Sequence, residues 1–275
     1  ISNPTSAVMN YGGPYCQTAA NPSPSFGAGA SAGIFSSSAG LVFVNTSTGE
    51  VNLSASAAGT YVITNTIAAA GGCPASVDTA GITITAPQTA TFSYTGTPYC
   101  QNAVNPTPTY SGGGVAGTFT ASSGSLIFVN ATTGEINLSA STPGTYTITN
   151  TIAAAGGCPA VTATANITIT APQVATFSYT GTPYCQNAVN PSPTFSGGGV
   201  AGIFSSTAGL IFVSSTTGEV DLLASTPGTY TVTNTIAASG GCAAATATSS
   251  ITIDPLQNAG FKINNPNVKR SCGCG

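Results

Sequence analysis

The run TYTITNTIAAAGGCPAVTATANITIT, Thr145–Thr170, decides how this chain is read. Tyr146, Ile148 and Ile152 alternate with Thr145, Thr147, Thr149 and Thr151, which puts apolar side chains on one face and threonines on the other. NITIT, Asn166–Thr170, alternates in the same way. Period two with β-branched and aromatic residues predicts strands buried on one side. Just upstream, SLIFVNATTGEINLSAS, Ser125–Ser141, reads as two short strands around a turn at Thr133-Gly134, and Pro143-Gly144 marks the next turn. Asn150 and its equivalents Asn65 and Asn234 fall on the inward face of the Tyr-Ile strand. An amide there is expected to bond loop backbone or to mark a bulge, not to hold a ligand.

The same segments recur. GTPYCQNAVNP stands at Gly96–Pro106 and at Gly181–Pro191; TNTIAAAGGCPA stands at Thr64–Ala75 and Thr149–Ala160, with the variant TNTIAASGGCAA at Thr233–Ala244. The period of 84 to 85 residues is that of a small independently folding domain, longer than a solenoid unit. At about seven strands per repeat, the expected fold is all-β, three tandem immunoglobulin-like β-sandwich domains in a rod. The units are residues 1–87, 88–172 and 173–255, followed by a strand or tail over 256–275. Joints of the Ala86-Pro87-Gln88 kind are short and stiff, and three units of ~40 Å in file give a rod on the order of 120 Å.

Only 3% of the 275 residues are charged, against about 25% in ordinary domains. No Lys, Arg or His stands before Lys262, so the body carries six acids and no base while the tail carries all three cations. Without a basic surface the body is not expected to bind nucleic acid. Without His or paired carboxylates no catalysis is expected: Glu50, Glu135 and Glu219 each follow the same Thr-Gly and read as turn residues. No acidic clusters sit at the linkers to hold calcium, the sequence implies no cofactor, and no run approaches the roughly 18 apolar residues of a membrane span. Gly112–Val115 and Gly197–Val200, both Gly-Gly-Gly-Val, read as tight loops or bulges, not phosphate cradles. Ile1 reads as a processed start.

Six cysteines come in pairs, Cys16/Cys73, Cys100/Cys158 and Cys185/Cys242, separated by 57, 58 and 57 residues. The expectation is three disulfides, one inside each repeat, each closing a loop worth about 4 kcal/mol in the chain-entropy model. That places the chain in an oxidising compartment, extracellular or at a cell surface. Two cysteines per repeat and no His leave zinc short of four ligands.

Residues Gly124–Ile169, GSLIFVNATTGEINLSASTPGTYTITNTIAAAGGCPAVTATANITI, resemble the tandem immunoglobulin-like repeats of large secreted surface proteins and adhesins of Bacteroidota, a likeness that extends over residues 1–254. It implies a surface structural or adhesive protein. The tail LQNAGFKINNPNVKRSCGCG, Leu256–Gly275, is similar to the C-terminus of the A-type iron–sulfur carriers of the HesB/IscA family, with Cys272 and Cys274 as the paired cysteines. That likeness implies a metal site at these two thiols. The family's core and upstream cysteine have no counterpart here.

The tail also has a local reading. Gln257, Ala259, Phe261 and Ile263 follow Gln173, Ala175, Phe177 and Tyr179 by 84 residues, so the tail begins like the opening strand of a fourth repeat. Ala259, Phe261 and Ile263 then form an assembly strand for a neighbouring copy, where Val8 and Asn10 stand for Phe92 and Tyr94 and leave a weakly apolar strand to be replaced. The function expected is a filament subunit or adhesin stalk assembled head-to-tail from copies of itself, with surface glycans or host surfaces as possible further partners. The alternatives are a carbohydrate- or surface-binding module and metal binding through Cys272 and Cys274.

Overall fold

The computed structural model describes residues 6–256. The strands of the first repeat are β1 (Met9–Asn10), β2 (Tyr15–Cys16), β3 (Ser25–Phe26), β4 (Ile34–Ser37), β5 (Phe43–Asn45), β6 (Glu50–Val51), β7 (Gly59–Ile67) and β8 (Ser76–Thr85). The alternating Thr/Tyr/Ile run becomes β7, and it pairs with β8 over nine positions, from Gly59–Ile84 to Ile67–Ser76. β4 flanks β7, and β2 lies parallel to the far end of β8, giving the sheet order β2-β8-β7-β4. The short antiparallel pairs β1–β3 and β5–β6 complete the unit. Residues 92–170 and 177–254 repeat the same eight-strand pattern, so the described residues form three tandem immunoglobulin-like β-sandwiches. The two-residue strands carry too little alternation to be counted from sequence, which is why about seven were expected.

Each repeat fills its own core. Tyr61, Ile63, Ile82 and Ile84 from the long hairpin pack with Phe35, Leu41, Val51 and Leu53, and the same positions recur as Tyr146, Ile148, Ile167 and Ile169 and as Tyr230, Val232, Ile251 and Ile253. Phe92 packs edge-on to Phe119 at 5.2 Å, as Phe177 does to Phe204. In repeat one Met9 takes the place of these phenylalanines.

The opening strand corrects one expectation. Tyr11-Gly12-Gly13-Pro14 is one residue shorter than Tyr94-Thr95-Gly96-Thr97-Pro98, so the counterparts of Phe92 and Tyr94 are Met9 and Tyr11, not Val8 and Asn10. Met9 and Tyr11 are 6% and 3% exposed, while Val8 points outward at 53%. The first repeat has no apolar vacancy for an incoming strand. The proposed strand residues Ala259, Phe261 and Ile263 lie outside the described residues.

With few charges available, amides and phenols fasten the loops. The fully buried Asn150 donates from Nδ2 to the carbonyls of Ala90 and Val115 and accepts the Gly117 N–H on Oδ1, at 2.8–2.9 Å. Asn65 and Asn234 do the same in their repeats. One side chain thus ties the opening strand, the Gly-rich loop and the long hairpin. The Gly-Gly-Gly-Val segments are tight loops, with Gly112 and Gly113 at φ 58° and 78°. Tyr11, Tyr94 and Tyr179 each donate at 2.5 Å to the carbonyl of Gly49, Gly134 or Gly218, the glycine of the Thr-Gly-Glu turn. That turn glycine has φ 75° and sits against a core phenylalanine. The recurring glutamate is therefore part of a locked turn.

Two outcomes follow. Asn150→Ala orphans three backbone groups and should cost on the order of 2–4 kcal/mol, read as a lower urea midpoint for repeat two. Burial holds the phenols of Tyr11, Tyr94 and Tyr179 far above their ordinary range. The unfolded chain loses those protons near pH 10 while the folded chain keeps them, so this stability is complete below about pH 10 and declines as pH rises beyond it. A urea midpoint that stays flat from roughly pH 9 to 11.5 would contradict the assignment.

Candidate functional site: the stapled joints

β8 is ten residues long, a span of about 30 Å at the rise of a strand. Cys16 lies beside its last residue, Thr85. Cys73 sits before its first, in the turn between β7 and β8, where Ala70 and Cys73 bridge each other. The two cysteines of a repeat therefore stand at opposite ends of the hairpin, and the expected pairing within repeats is not the one formed. The bridges join neighbours: Cys16 bonds Cys158 and Cys100 bonds Cys242, with Cα–Cα distances of 4.6 and 4.7 Å and a sequence separation of 142 in both. The correction has a geometric reason, since Cα atoms more than about 7 Å apart cannot be bridged. The hairpin tip of one repeat instead reaches the strand end of the repeat before it.

The tip is shaped for that contact. Gly156 and Gly157 have φ 57° and 78°, and Gly240 and Gly241 have φ 58° and 76°. The Thr85 hydroxyl donates to the Gly156 carbonyl, and the Thr170 hydroxyl donates to the Gly240 carbonyl. A Cβ on Gly157 would overlap the carbonyl of Pro14, and one on Gly241 would overlap that of Pro98. Each of these prolines follows a cis peptide bond and begins the Pro-Tyr-Cys segment. The joint therefore consists of a glycine under a proline carbonyl, a threonine-to-glycine hydrogen bond and a cystine, alongside the Ala-Pro-Gln linker.

The remaining cysteines occupy matching places. Cys185 is buried opposite Asp254 at the end of repeat three, and Asp254 stands where Thr85 and Thr170 stand in the other repeats. Cys73 holds in repeat one the tip position of Cys158 and Cys242. Cys272 and Cys274, named for a metal site, lie outside the described residues. Among the described residues no three His, Cys, Asp or Glu side chains gather to hold a metal, and no helix is long and apolar enough to cross a membrane. The acids serve the backbone: Asp78 accepts the Met9 N–H at 3.1 Å, and Asp221 accepts that of Ala224 at 3.0 Å. The exposed ring positions Phe26, Tyr110 and Phe195 occur once per repeat.

No protein-family model and no curated protein matches the chain, so neither the likeness to Bacteroidota surface repeats nor that to HesB/IscA carriers is met by a matching family. Among solved structures, human CDH23 EC21-23 is similar at 13% identity over 78% of this chain and 81% of that one, with a TM-score of 0.39. Mouse Cadherin-23 EC22-24 is similar at 11% identity over 93% and 97%, with a TM-score of 0.31. Drosophila N-cadherin EC1-4 is similar at 10% identity over 91% and 72%, with a TM-score of 0.32.

The joint predicts a contrast between two glycines. Gly157→Ala and Gly72→Ala meet nearly the same backbone strain, at φ 78° and 83°, but only at Gly157 does the added methyl strike a neighbouring repeat, since nothing lies within 4 Å of the Gly72 position. During oxidative refolding, Gly157→Ala should slow formation of the Cys16–Cys158 bridge at least several-fold and Gly72→Ala should not. Equal rates, followed by non-reducing peptide mapping, would show that the glycine contact does not shape the joint.

Proposed function

We propose that the chain is a load-bearing segment of an extracellular structural protein, the stalk of an adhesin or surface fibre, with a mechanical rather than catalytic role. The observation that carries this reading is that the two bridges interlock. Cys100 lies inside the loop closed by Cys16–Cys158, and Cys158 lies inside the loop closed by Cys100–Cys242. Tension entering at Cys16 reaches Cys242 by two routes. One follows the backbone to Cys100 and crosses the second bridge; the other crosses the first bridge and follows the backbone from Cys158. Each route contains 84 residues of backbone, so the load divides between strands of equal length. Disulfides persist in oxidising surroundings, which supports an extracellular or surface location. The stalk form is favoured over a filament seeded by the tail strand, because Met9 and Tyr11 already fill the first repeat's opening positions.

Force spectroscopy on chains tethered at both ends tests this. Reduced chains should unfold to full length. Between Cys16 and Cys242, oxidised chains should fall short by 142 residues, about 500 Å at ~3.5 Å per residue. Equal extension in the two states would overturn the mechanical reading.

A further inference from the structure

The surface turns carry a pattern that the joints do not use. Asn-X-Ser/Thr, with X other than proline, occurs at Asn45, Asn52, Asn130, Asn137 and Asn166. Such a tripeptide accepts Asn-linked sugar where it stands on the surface of a secreted protein, and the fold separates the five on that point.

Asn45 ends β5, and Asn130 ends the equivalent strand of repeat two, Phe128–Asn130. In Asn45-Thr46-Ser47 and Asn130-Ala131-Thr132 all three residues are exposed. Asn45 Oδ1 accepts the N–H and the hydroxyl of Ser47, both at 2.8 Å, and Asn130 Oδ1 accepts the same two groups of Thr132, also at 2.8 Å. A backbone N–H only donates, so the atom it meets is the carbonyl oxygen, and Nδ2 is the atom turned outward. Among the described residues no hydrogen bond takes up either Nδ2. The backbone behind the amide is pinned: the carbonyls of Asn45 and Asn130 accept the N–H of Gly49 and Gly134 at 3.0 Å, in the turns that Tyr11 and Tyr94 lock.

The other three asparagines are held differently. Asn166 lies within the strand Val161–Thr170, and its Oδ1 accepts from Thr147 at 2.8 Å, while the hydroxyl of its own Thr168 faces Thr145 at 3.0 Å. Its middle residue, Ile167, is a core side chain at 1% exposure. Asn52 and Asn137 are half-buried, and their middle residues, Leu53 and Leu138, are fully buried. An enzyme seats these tripeptides only by drawing a side chain out of the core. Repeat three keeps the turn without the amide: Ser214 stands at the place of Asn45 and Asn130, and its hydroxyl accepts the Thr216 N–H at 3.3 Å.

We propose that Asn45 and Asn130 are acceptor sites for Asn-linked glycosylation of the folded chain, one on each of the first two repeats. The donor is an oligosaccharide carried on a lipid diphosphate. The bond from Nδ2 to the sugar C1 forms as the C1–O bond to the diphosphate breaks; the amide gives up one proton, and the lipid diphosphate leaves with the electron pair. Ser47 and Thr132 are positioning residues, whose hydroxyls hold the carboxamide with Nδ2 outward. The inference goes beyond the mechanical reading and shares with it only an exported chain.

The test presents the folded, oxidised chain to a purified oligosaccharyltransferase that accepts Asn-X-Ser/Thr, with its lipid-diphosphate donor, and maps chymotryptic glycopeptides by mass. Occupancy at Asn45 and Asn130 should exceed that at Asn52, Asn137 and Asn166 at least several-fold. Thr132→Ala should abolish the glycan at Asn130 and leave the one at Asn45, and Thr132→Ser should retain both. Ser214→Asn, which gives repeat three the same tripeptide on the same turn, should gain a glycan there. Recovery of the Cys16–Cys158 and Cys100–Cys242 peptides from each variant verifies its fold. No sugar at Asn45 and Asn130 overturns the proposal. Equal occupancy of all five asparagines overturns it as well, since the tripeptide alone would then choose the acceptor. An unmodified Ser214→Asn chain shows that the turn does not present the amide. None of these outcomes alters the extension expected of the two bridges, so the two readings fail separately.

Discussion

The backbone ladder between β7 and β8 is the constraint on which the rest depends. Its nine pairs make a hairpin longer than any other element of the repeat. One face supplies the core isoleucines and tyrosine. Its tip projects past the sandwich as Ala-Gly-Gly-Cys, and its other end carries β2 with the Pro-Tyr-Cys segment. Hairpin length therefore sets how far apart a repeat's two cysteines stand. A shorter hairpin would close the disulfide inside the repeat and leave the joints to the linkers alone.

That constraint explains what could be read from the sequence and what could not. Alternation in Thr145–Ile152 and Asn166–Thr170 located the long strands, and the repeated segments gave the number of units. The cysteine pairing escaped for a reason specific to repeats. In a periodic chain, a constant spacing of 57 or 58 within repeats entails a constant spacing of 142 to the next repeat, so constancy cannot choose between the two. The choice rests on which residues bracket β8, a matter of register. The offset in repeat one was hidden likewise. A single residue missing between Tyr11 and Pro14 moves every side chain before it to the other face when the strands are aligned by their cysteines.

A body with so few charges still needs specific interior contacts, and it uses neutral ones. Asn65, Asn150 and Asn234 are fully buried, and each makes three hydrogen bonds to backbone. Ser56, Ser141 and Ser225 bond the loop before them, and Gln17, Gln101 and Gln186, each next to the Pro-Tyr-Cys cysteine, donate to those serine carbonyls at 2.7–2.9 Å. A neutral amide or hydroxyl carries a smaller desolvation cost than an ion and keeps its bonds at any salt concentration. These tethers hold the segment that bears the staple cysteine, so the interior hydrogen bonds and the joints form one connected system.

The interlocked bridges add a property that three separately closed domains would lack. A cut in the backbone between Cys16 and Cys100 leaves the halves joined through Cys16–Cys158. A cut between Cys158 and Cys242 leaves them joined through Cys100–Cys242, and one between Cys100 and Cys158 is spanned by both. Disulfides inside each repeat would protect only the interior of each loop and would expose every linker. Because a bridge from one repeat's strand end to the next repeat's tip overlaps the following bridge, the linkers lie inside the protected span. Continuity then depends on the folded hairpins that bring each tip to its seat, and the long β7–β8 ladder is what keeps the chain in one piece.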